Sequence, residues 1–441
     1  MTRRGRIAVW SASIVALLVL AAGGAGGWVY QRLDGNINAS DIDDKLGGGH
    51  LVNLSPGAKN ILMVGSDSRD GANGKHGKDL TTMQSDTLMV LRIAANRKWA
   101  AVVSLLRDSW VQIPACDRGD GTQSAPHPFK INAAYAIGGA GGDAGSAAAC
   151  TIKTIEHNTG LRINHFITLD FQGFKGMVNA LGGIEICPKQ AIHDKKARLD
   201  LEAGCQTVRD EHALGYVRTR YSVGDGSDIG RIGRQQEFMQ ALATRAQEKL
   251  TSPGDVYAFL DAATKSITTD TGLAGIPPLY GLASKLQDIP KDRLAFLTVP
   301  DYPREVDIPT DKATISWQYP QAHTLFDALA KDQEIAKEQL TSAPSVTAGS
   351  IPILVQNGTA TPGMAATVAA QLRTAGYTVT GTGNAPQRAA GTTLAHPSGL
   401  EIHAQALASR LKWPVGPDLD DRAAPRVITL TVGPDYTGPL G

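Results

Sequence analysis

The sequence has almost no net charge, with Lys+Arg 43 against Asp+Glu 42. That balance excludes the broad cationic field by which a protein holds nucleic acid. Aromatic residues make up only 5% of the chain, beside abundant alanine and glycine, a bias of composition more than of fold. No internal repeat is visible. The four cysteines, Cys116, Cys150, Cys187 and Cys205, include no CxxC spacing, which speaks against zinc. No charged residue occurs from Ile7 to Gln31. What is present is 42% hydrophobic residues in 441, ample for a real core. That length fits roughly three units of about 150 residues, or one large domain and a small one.

The uncharged run follows Arg3, Arg4 and Arg6 and closes near Trp28 and Tyr30. Just over ~20 residues at ~1.5 Å each span a ~30 Å hydrocarbon core. Cations ahead of the run place the N-terminus in the cytoplasm, and Trp28 and Tyr30 suit the far interface. A cleaved signal peptide is the alternative, with small residues at 21–27 as cleavage sites. The length favours an uncleaved, single-pass anchor over residues 1–31. Either way, everything beyond about Arg32 is expected outside the cytoplasm. There, four cysteines read as two disulfides with three connectivities. The local pairs Cys116–Cys150 and Cys187–Cys205 are favoured because they close irregular loops, each stabilising by about 2–4 kcal/mol.

Residues 32–59 are polar and glycine-rich and read as a stalk. Residues 60–65 read as a buried strand, followed by Ser66-Asp67-Ser68-Arg69 at the carboxyl end, where α/β sheets place ligands. Ser85-Asp86-Thr87 opens a second strand. A third, at 100–105, runs into Leu106-Arg107-Asp108. Asp67, Asp86 and Arg107 therefore fall at strand edges. Two carboxylates with phosphate oxygens make an ordinary Mg²⁺ site; turn or helix-cap duty is the plainer alternative for each. Lys130 is a candidate point charge for phosphate, or an exposed surface lysine. A glycine run at 138–145 reads as flexible. Phe171, Phe174, Met177, Val178 and Leu181 form an amphipathic stripe that reads as core or as the wall of a lipid groove. Residues 257–267 read as helical. Strands and helices alternate to residue 330, an α/β layered core. Residues 331–350 read as a linker. Residues 351–436 form a small α/β unit with no catalytic cluster, suited to binding or positioning.

The densest chemistry lies in Tyr216-Val217-Arg218-Thr219-Arg220 and Asp228-Ile229-Gly230-Arg231-Ile232-Gly233-Arg234-Gln235-Gln236. If residues 217–219 are extended, Arg218 and Arg220 project from one face. If a helix begins near Asp228, then Asp228, Arg231 and Arg234 or Gln235 share a face. Converging guanidinium groups suit a diphosphate better than a lone carboxylate, because their forks bind phosphate oxygens bidentately. A salt-bridged helix face is the plainer reading of any one arginine.

Taken together, Asn60-Ile61-Leu62-Met63-Val64-Gly65-Ser66-Asp67-Ser68-Arg69, Ser85-Asp86-Thr87, Ser104-Leu105-Leu106-Arg107-Asp108, Lys130-Ile131-Asn132-Ala133-Ala134-Tyr135, Ala180-Leu181-Gly182-Gly183-Ile184 and the two arginine segments resemble the successive motifs of the LytR-CpsA-Psr family. The match runs in order from about residue 60 to 250. The last unit, with Val355-Gln356-Asn357-Gly358-Thr359 and Gly433-Pro434-Asp435-Tyr436, resembles the domain named after the LytR C-terminus. Leu106 departs from the proline usual before Arg-Asp, a change of backbone stiffness that leaves the charged group in place.

The resemblance implies a layered α/β/α catalytic domain over 60–330 around a central mixed sheet. It implies a phosphotransferase at the cell membrane that moves a glycopolymer from a polyprenyl-diphosphate carrier to a muramic-acid hydroxyl of peptidoglycan, through a phosphodiester. By motif position Asp67 and Asp86 would hold Mg²⁺ (or Mn²⁺). Arg107, Arg218, Arg220 and Arg231 would clamp the diphosphate, with Arg69, Lys130 and Gln235 in support. Asp67 is the candidate base. A hydrolase of the same lipid and a non-catalytic lipid- or wall-binding protein are the rivals; the export signal and neutral charge disfavour a transcriptional regulator.

Overall fold

The computed structural model describes residues 27, 30–47, 50–66, 85–219, 228–287, 289–308, 310–336, 339–340, 346–411, 416–420, 422, 424–436 and 438. Asp67, Arg69, Arg220 and nearly all of the uncharged N-terminal run lie outside the described residues. Among the described residues no helix is long and apolar enough to cross a membrane.

A seven-stranded sheet organises the larger part. Its strands are β1 (Asn38–Ser40), β2 (Lys59–Ser66), β3 (Ser85–Ile93), β4 (Ala100–Leu105), β5 (His165–Leu169), β6 (Ile267–Asp270) and β7 (Leu294–Thr298). They lie in the order β1-β6-β5-β2-β3-β4-β7. The pairs β1/β6, β2/β5 and β4/β7 are parallel and the others antiparallel, so the sheet is mixed. β2, β3 and β4 are apolar on both faces, as central strands must be when helices cover both sides. Leu62, Val64, Leu88, Val90 and Val103 enter one buried cluster, and Ile61, Met89, Leu91 and Val102 the other, the period-two alternation of a strand.

The first face is covered by α1 (Ala144–Thr159) and by the helix Gln321–Ala330. Asp143 caps α1 by accepting hydrogen bonds from the amides of Gly145 and Ser146, and Gly160 ends it at φ 67°. The glycine run expected to be flexible is instead close packing. Gly138 closes a short helix, and a Cβ there would lie 2.2 Å from the Ser146 carbonyl oxygen. Cys116–Cys150 ties this layer together and Cys187–Cys205 closes an outer loop, the local pairing expected.

The second face carries α2 (Phe171–Ala180), α3 (Asp210–Arg218), α4 (Asp228–Lys249), α5 (Pro253–Thr264) and α6 (Ile276–Gln287). Two strands differ from expectation. The helix expected over 257–267 stops at Thr264, and Ile267 instead opens β6, which enters the sheet. β1 lies within the stretch read as a stalk. Ile42 and Leu46, just after it, are buried in the main core, so part of 32–59 belongs to the fold.

The C-terminal unit is a five-stranded sheet in the order Thr378–Asn384, Pro352–Asn357, Ile428–Val432, Thr393–His396, Pro417–Leu419, with helices Met364–Thr374 and Glu401–Ala408. Its core is continuous with the first face of the large sheet. Ile335, Leu340 and Val346, within the expected linker, are buried in that core, so the connection is packed.

Candidate active site

Residues 217–219 are not uniformly extended. α3 runs to Arg218, and only Thr219 has β backbone, at φ −61° and ψ 140°. Asp210 and Glu211 in its first turn complement the helix dipole, and Ala213, Leu214 and Tyr216 bury one side. Arg218 is thus the last helical residue, where a cation is favoured. Its guanidinium carbon sits 4.7 Å from the centroid of the Phe171 ring, a cation–π contact that fixes its direction.

α4 holds this helix end. Gln235 Nε2 donates to the Val217 carbonyl at 3.0 Å, and Arg234 Nη2 to the Thr219 carbonyl at 2.7 Å. These carbonyls belong to the end of α3, where helix geometry leaves acceptors without intrahelical donors. Thr219 Oγ1 donates to Asp194 Oδ2 at 2.7 Å, and Asp194 Oδ1 accepts from the amides of Lys196 and Ala197 at 2.9 and 3.0 Å. Burial lowers the Arg234 pKa, opposed by Tyr216, Asp194 and Glu237. Tyr216 is pushed up to about 12, by burial first and then by Glu237. Phe238, fully buried, packs between Phe174 and Tyr216 and locks α4 to α2 and α3.

At the sheet, Asp86 on β3 accepts from Arg107 Nη1 at 2.6 Å. The antiparallel β3/β4 register brings the two together across the ladder. Arg107 Nε lies 3.4 Å from Asp108 Oδ2, and Lys130 Nζ donates to Asp108 Oδ1 at 2.9 Å. The result is a row of alternating charge, Asp86, Arg107, Asp108, Lys130. Leu106 is buried, and its carbonyl accepts from the Ser109 amide at 2.9 Å, so the turn forms without proline.

One cavity of about 570 Å³ joins the two regions, lined by Asp86, Arg107, Arg218 and Gln235 together with Met63, Met89, Leu169, Phe174, Met177, Met239 and Leu242. Phe174 and Met177 face it while Val178 and Leu181 are fully buried, so the α2 stripe is both core and cavity wall. Lys130 is not on the lining; it stands behind Arg107 through Asp108. Gln235 lines the cavity, but its amide nitrogen is directed at Val217 and, at 3.4 Å, Thr87 Oγ1. Arg231 lies in α4, its side chain outside what is described. Sequence reasoning missed the bracing role of Asp108, the part of Asp194 and the contact of Phe171 with Arg218. Asp108 had a local signal in its place beside Arg107 and Phe171 in the stripe it opens; Asp194 had none.

Among the described residues no group of three or more His, Cys, Asp or Glu is arranged for a metal. Of the expected pair, Asp86 offers a carboxylate on the cavity wall, and Asp67 lies outside the described residues. One carboxylate is within what Mg²⁺ takes from a protein, since it binds through only one or two protein carboxylates and keeps waters.

The profile of the LytR_cpsA_psr family matches residues 29–331, and that of the LytR cell envelope-related transcriptional attenuator matches 350–436. The chain is 28% identical to the cell wall biosynthesis protein LcpA of Corynebacterium glutamicum, over 97% of this chain and 86% of LcpA. It is 29% identical to the polyisoprenyl-teichoic acid–peptidoglycan teichoic acid transferase TagU of Enterococcus faecalis, over 58% of this chain and 76% of TagU. A Streptococcus agalactiae crystal structure superposes with a TM-score of 0.50 at 20% identity, covering 64% of this chain and 90% of the other, a likeness of fold.

Proposed function

The chain belongs to the LytR-CpsA-Psr family, and from that premise we propose that it is a membrane-anchored phosphotransferase moving a glycopolymer from a polyprenyl-diphosphate carrier onto peptidoglycan. The observation that carries this reading is a single cavity whose lining combines a long apolar wall with Asp86, Arg107 and Arg218. An isoprenoid tail on that wall gains ~0.8 kcal/mol per buried CH₂. The guanidinium groups match diphosphate oxygens. TagU, named as a transferase from a polyisoprenyl carrier to peptidoglycan, is a relative of matching kind.

The acceptor's hydroxyl oxygen attacks the phosphorus that bears the glycopolymer. The bond from that phosphorus to the bridging oxygen of the diphosphate breaks, polyprenyl phosphate leaves, and a phosphodiester remains. The hydroxyl proton passes to a carboxylate, for which Asp67 is the candidate. Such transfers depend on positioning and charge neutralisation. Arg107, held by Asp86 and Asp108, and Arg218, stacked on Phe171, are set in advance to provide both; Arg220 and Arg231 join them in this reading. Mg²⁺ or Mn²⁺ held by Asp86 and Asp67 would add charge neutralisation at the diphosphate. The run Ile7–Gln31 anchors the chain beside its lipid substrate, with the catalytic part outside the cytoplasm.

Calorimetric titration of the full chain with a polyprenyl diphosphate, with Mg²⁺ and then with chelator, tests the assignment. Chelation should weaken binding in the wild type and have little effect in Asp86→Ala. Equal affinity with and without metal would leave Asp86 only as the partner of Arg107.

A further inference from the structure

We propose that Arg410, in the C-terminal unit, is a positioning residue for Arg107 and Lys130, an inference that rests on the reading of the cavity as a diphosphate site. Arg410 is 4% exposed. Its Nε lies 2.8 Å from the Tyr302 hydroxyl and 3.0 Å from Asp307 Oδ2, and its Nη2 donates to the Val346 carbonyl at 3.0 Å. Tyr302 itself donates to Asp307 Oδ2 at 2.5 Å. One guanidinium of the C-terminal unit is thus enclosed by three groups that precede that unit. A contact serving adhesion alone would be as strong with apolar side chains, which avoid the desolvation of a buried charge. Fixed acceptors around a planar donor instead set orientation.

The groups around Arg410 lead back to the cations. Tyr302 lies in Asp301–Pro303, which pairs antiparallel with Ile315–Trp317. The amide of Ile315 donates to the Asp108 carbonyl at 3.1 Å, and Trp317 Nε1 donates to Ser109 Oγ at 2.9 Å. Arg304, on the loop of the same hairpin, holds its guanidinium 4.2 Å from the centroid of the Trp110 ring. From the other side, the amides of Ile131 and Asn132 donate to the carbonyls of Ser109 and Arg107 at 2.8 and 3.2 Å. The Arg107–Trp110 segment is therefore held between the hairpin and the segment that carries Lys130. Asp108, whose backbone the hairpin grips, is the shared carboxylate partner of Arg107 and Lys130. Ser109 and Ser316 are 0% exposed and Trp317 2%, so the path is buried throughout, and close-packed interiors transmit strain.

The test compares a polyprenyl diphosphate with the matching polyprenol, titrated into the full chain as wild type, Arg410→Met and Tyr302→Phe. The second variant keeps the ring and removes only the hydroxyl, so it decides the matter if Arg410→Met does not fold. The preference for diphosphate over alcohol should fall roughly tenfold in Arg410→Met and roughly threefold in Tyr302→Phe, with alcohol affinity unchanged. A wild-type preference in every folded variant overturns the inference. So does an equal loss of both affinities, which would mean collapse of the cavity. A wild type that does not distinguish the two lipids overturns the diphosphate reading, and the inference with it.

Discussion

The two faces of the central sheet are built to opposite ends. On the first, Ile152, Ile155, Leu325 and Leu329 are 0% exposed and the core runs without a break into the C-terminal unit. On the second, Met239, Leu279, Leu282 and Leu286 are only partly buried and a cavity remains between helices and sheet. Both faces draw on the same strands, whose alternate residues are about equally apolar. The difference arises in what covers them: small, close-packing Ala147, Ala148 and Ala149 on α1, against long, adaptable Met177 on α2 and Met239 on α4, which face Met63 and Met89 of the sheet across the cavity. Unbranched thioether side chains adjust to an irregular guest. One face holds the fold, and the other leaves a cavity.

The contrast breaks if the two faces respond alike to truncation. Leu325→Ala should cost about 2–5 kcal/mol of stability, measured by denaturant unfolding. Met239→Ala should cost less than about 1 kcal/mol, because the site is already open, while weakening retention of a polyprenyl lipid several-fold. Equal destabilisation would mean that the cavity is part of the sealed core. The disulfides sharpen the contrast. Cys116–Cys150, buried and closing 34 residues, should resist reductant until the chain unfolds and contribute about 3–4 kcal/mol. Cys187–Cys205 closes 18 residues, has both cysteines exposed, and should be reduced first in the folded protein. Alkylation and mass spectrometry at rising reductant read the order; simultaneous reduction would contradict it.

For the cavity cations, Arg218→Ala should lower glycopolymer transfer by at least about tenfold, with unfolding free energy reduced by about 1 kcal/mol for the lost cation–π and helix-end contacts. Arg220→Ala should behave alike. The smallest effect lies on the sealed side, at the cap of α1. Burial acts to raise the Asp143 carboxyl pKa, but hydrogen bonds from Lys45, Ser146 and the amides of Ser146 and Gly145 outweigh it and set it at about 2. A folded-state value below the unfolded ~3.9 gives stability that is complete at higher pH and is lost as pH falls through about 2. Asp143→Ala should therefore cost about 1 kcal/mol near pH 6, and the two proteins should converge toward pH 2. A constant gap down to pH 2 would show that the carboxylate charge contributes nothing.

What the sequence made legible follows the range of the forces involved. β2, β3 and β4 each carry a run of at least four apolar residues, and Asp86 and Arg107 stand at their ends, so both could be read locally. β1 and β6 are three and four residues long, too short for a pattern of their own; their state is decided by the neighbours they pair with. The position of Arg218 was legible but its helical backbone was not, because the acids that favour the helix lie a full helix-length earlier. The bond from Asp194 to Thr219 spans 25 residues, and nothing near either residue announces it. Phe174 and Val178 share one stripe, and only the packed helices decide which faces the cavity.

The most direct test of the central claim follows the label of a glycopolymer on its polyprenyl diphosphate, incubated with the purified full chain in vesicles, with and without peptidoglycan. The account predicts label bound to peptidoglycan through a phosphodiester, polyprenyl phosphate released in equal amount, and little turnover when peptidoglycan is omitted. Soluble glycopolymer phosphate released at the same rate with or without peptidoglycan would contradict it, and would make water the acceptor.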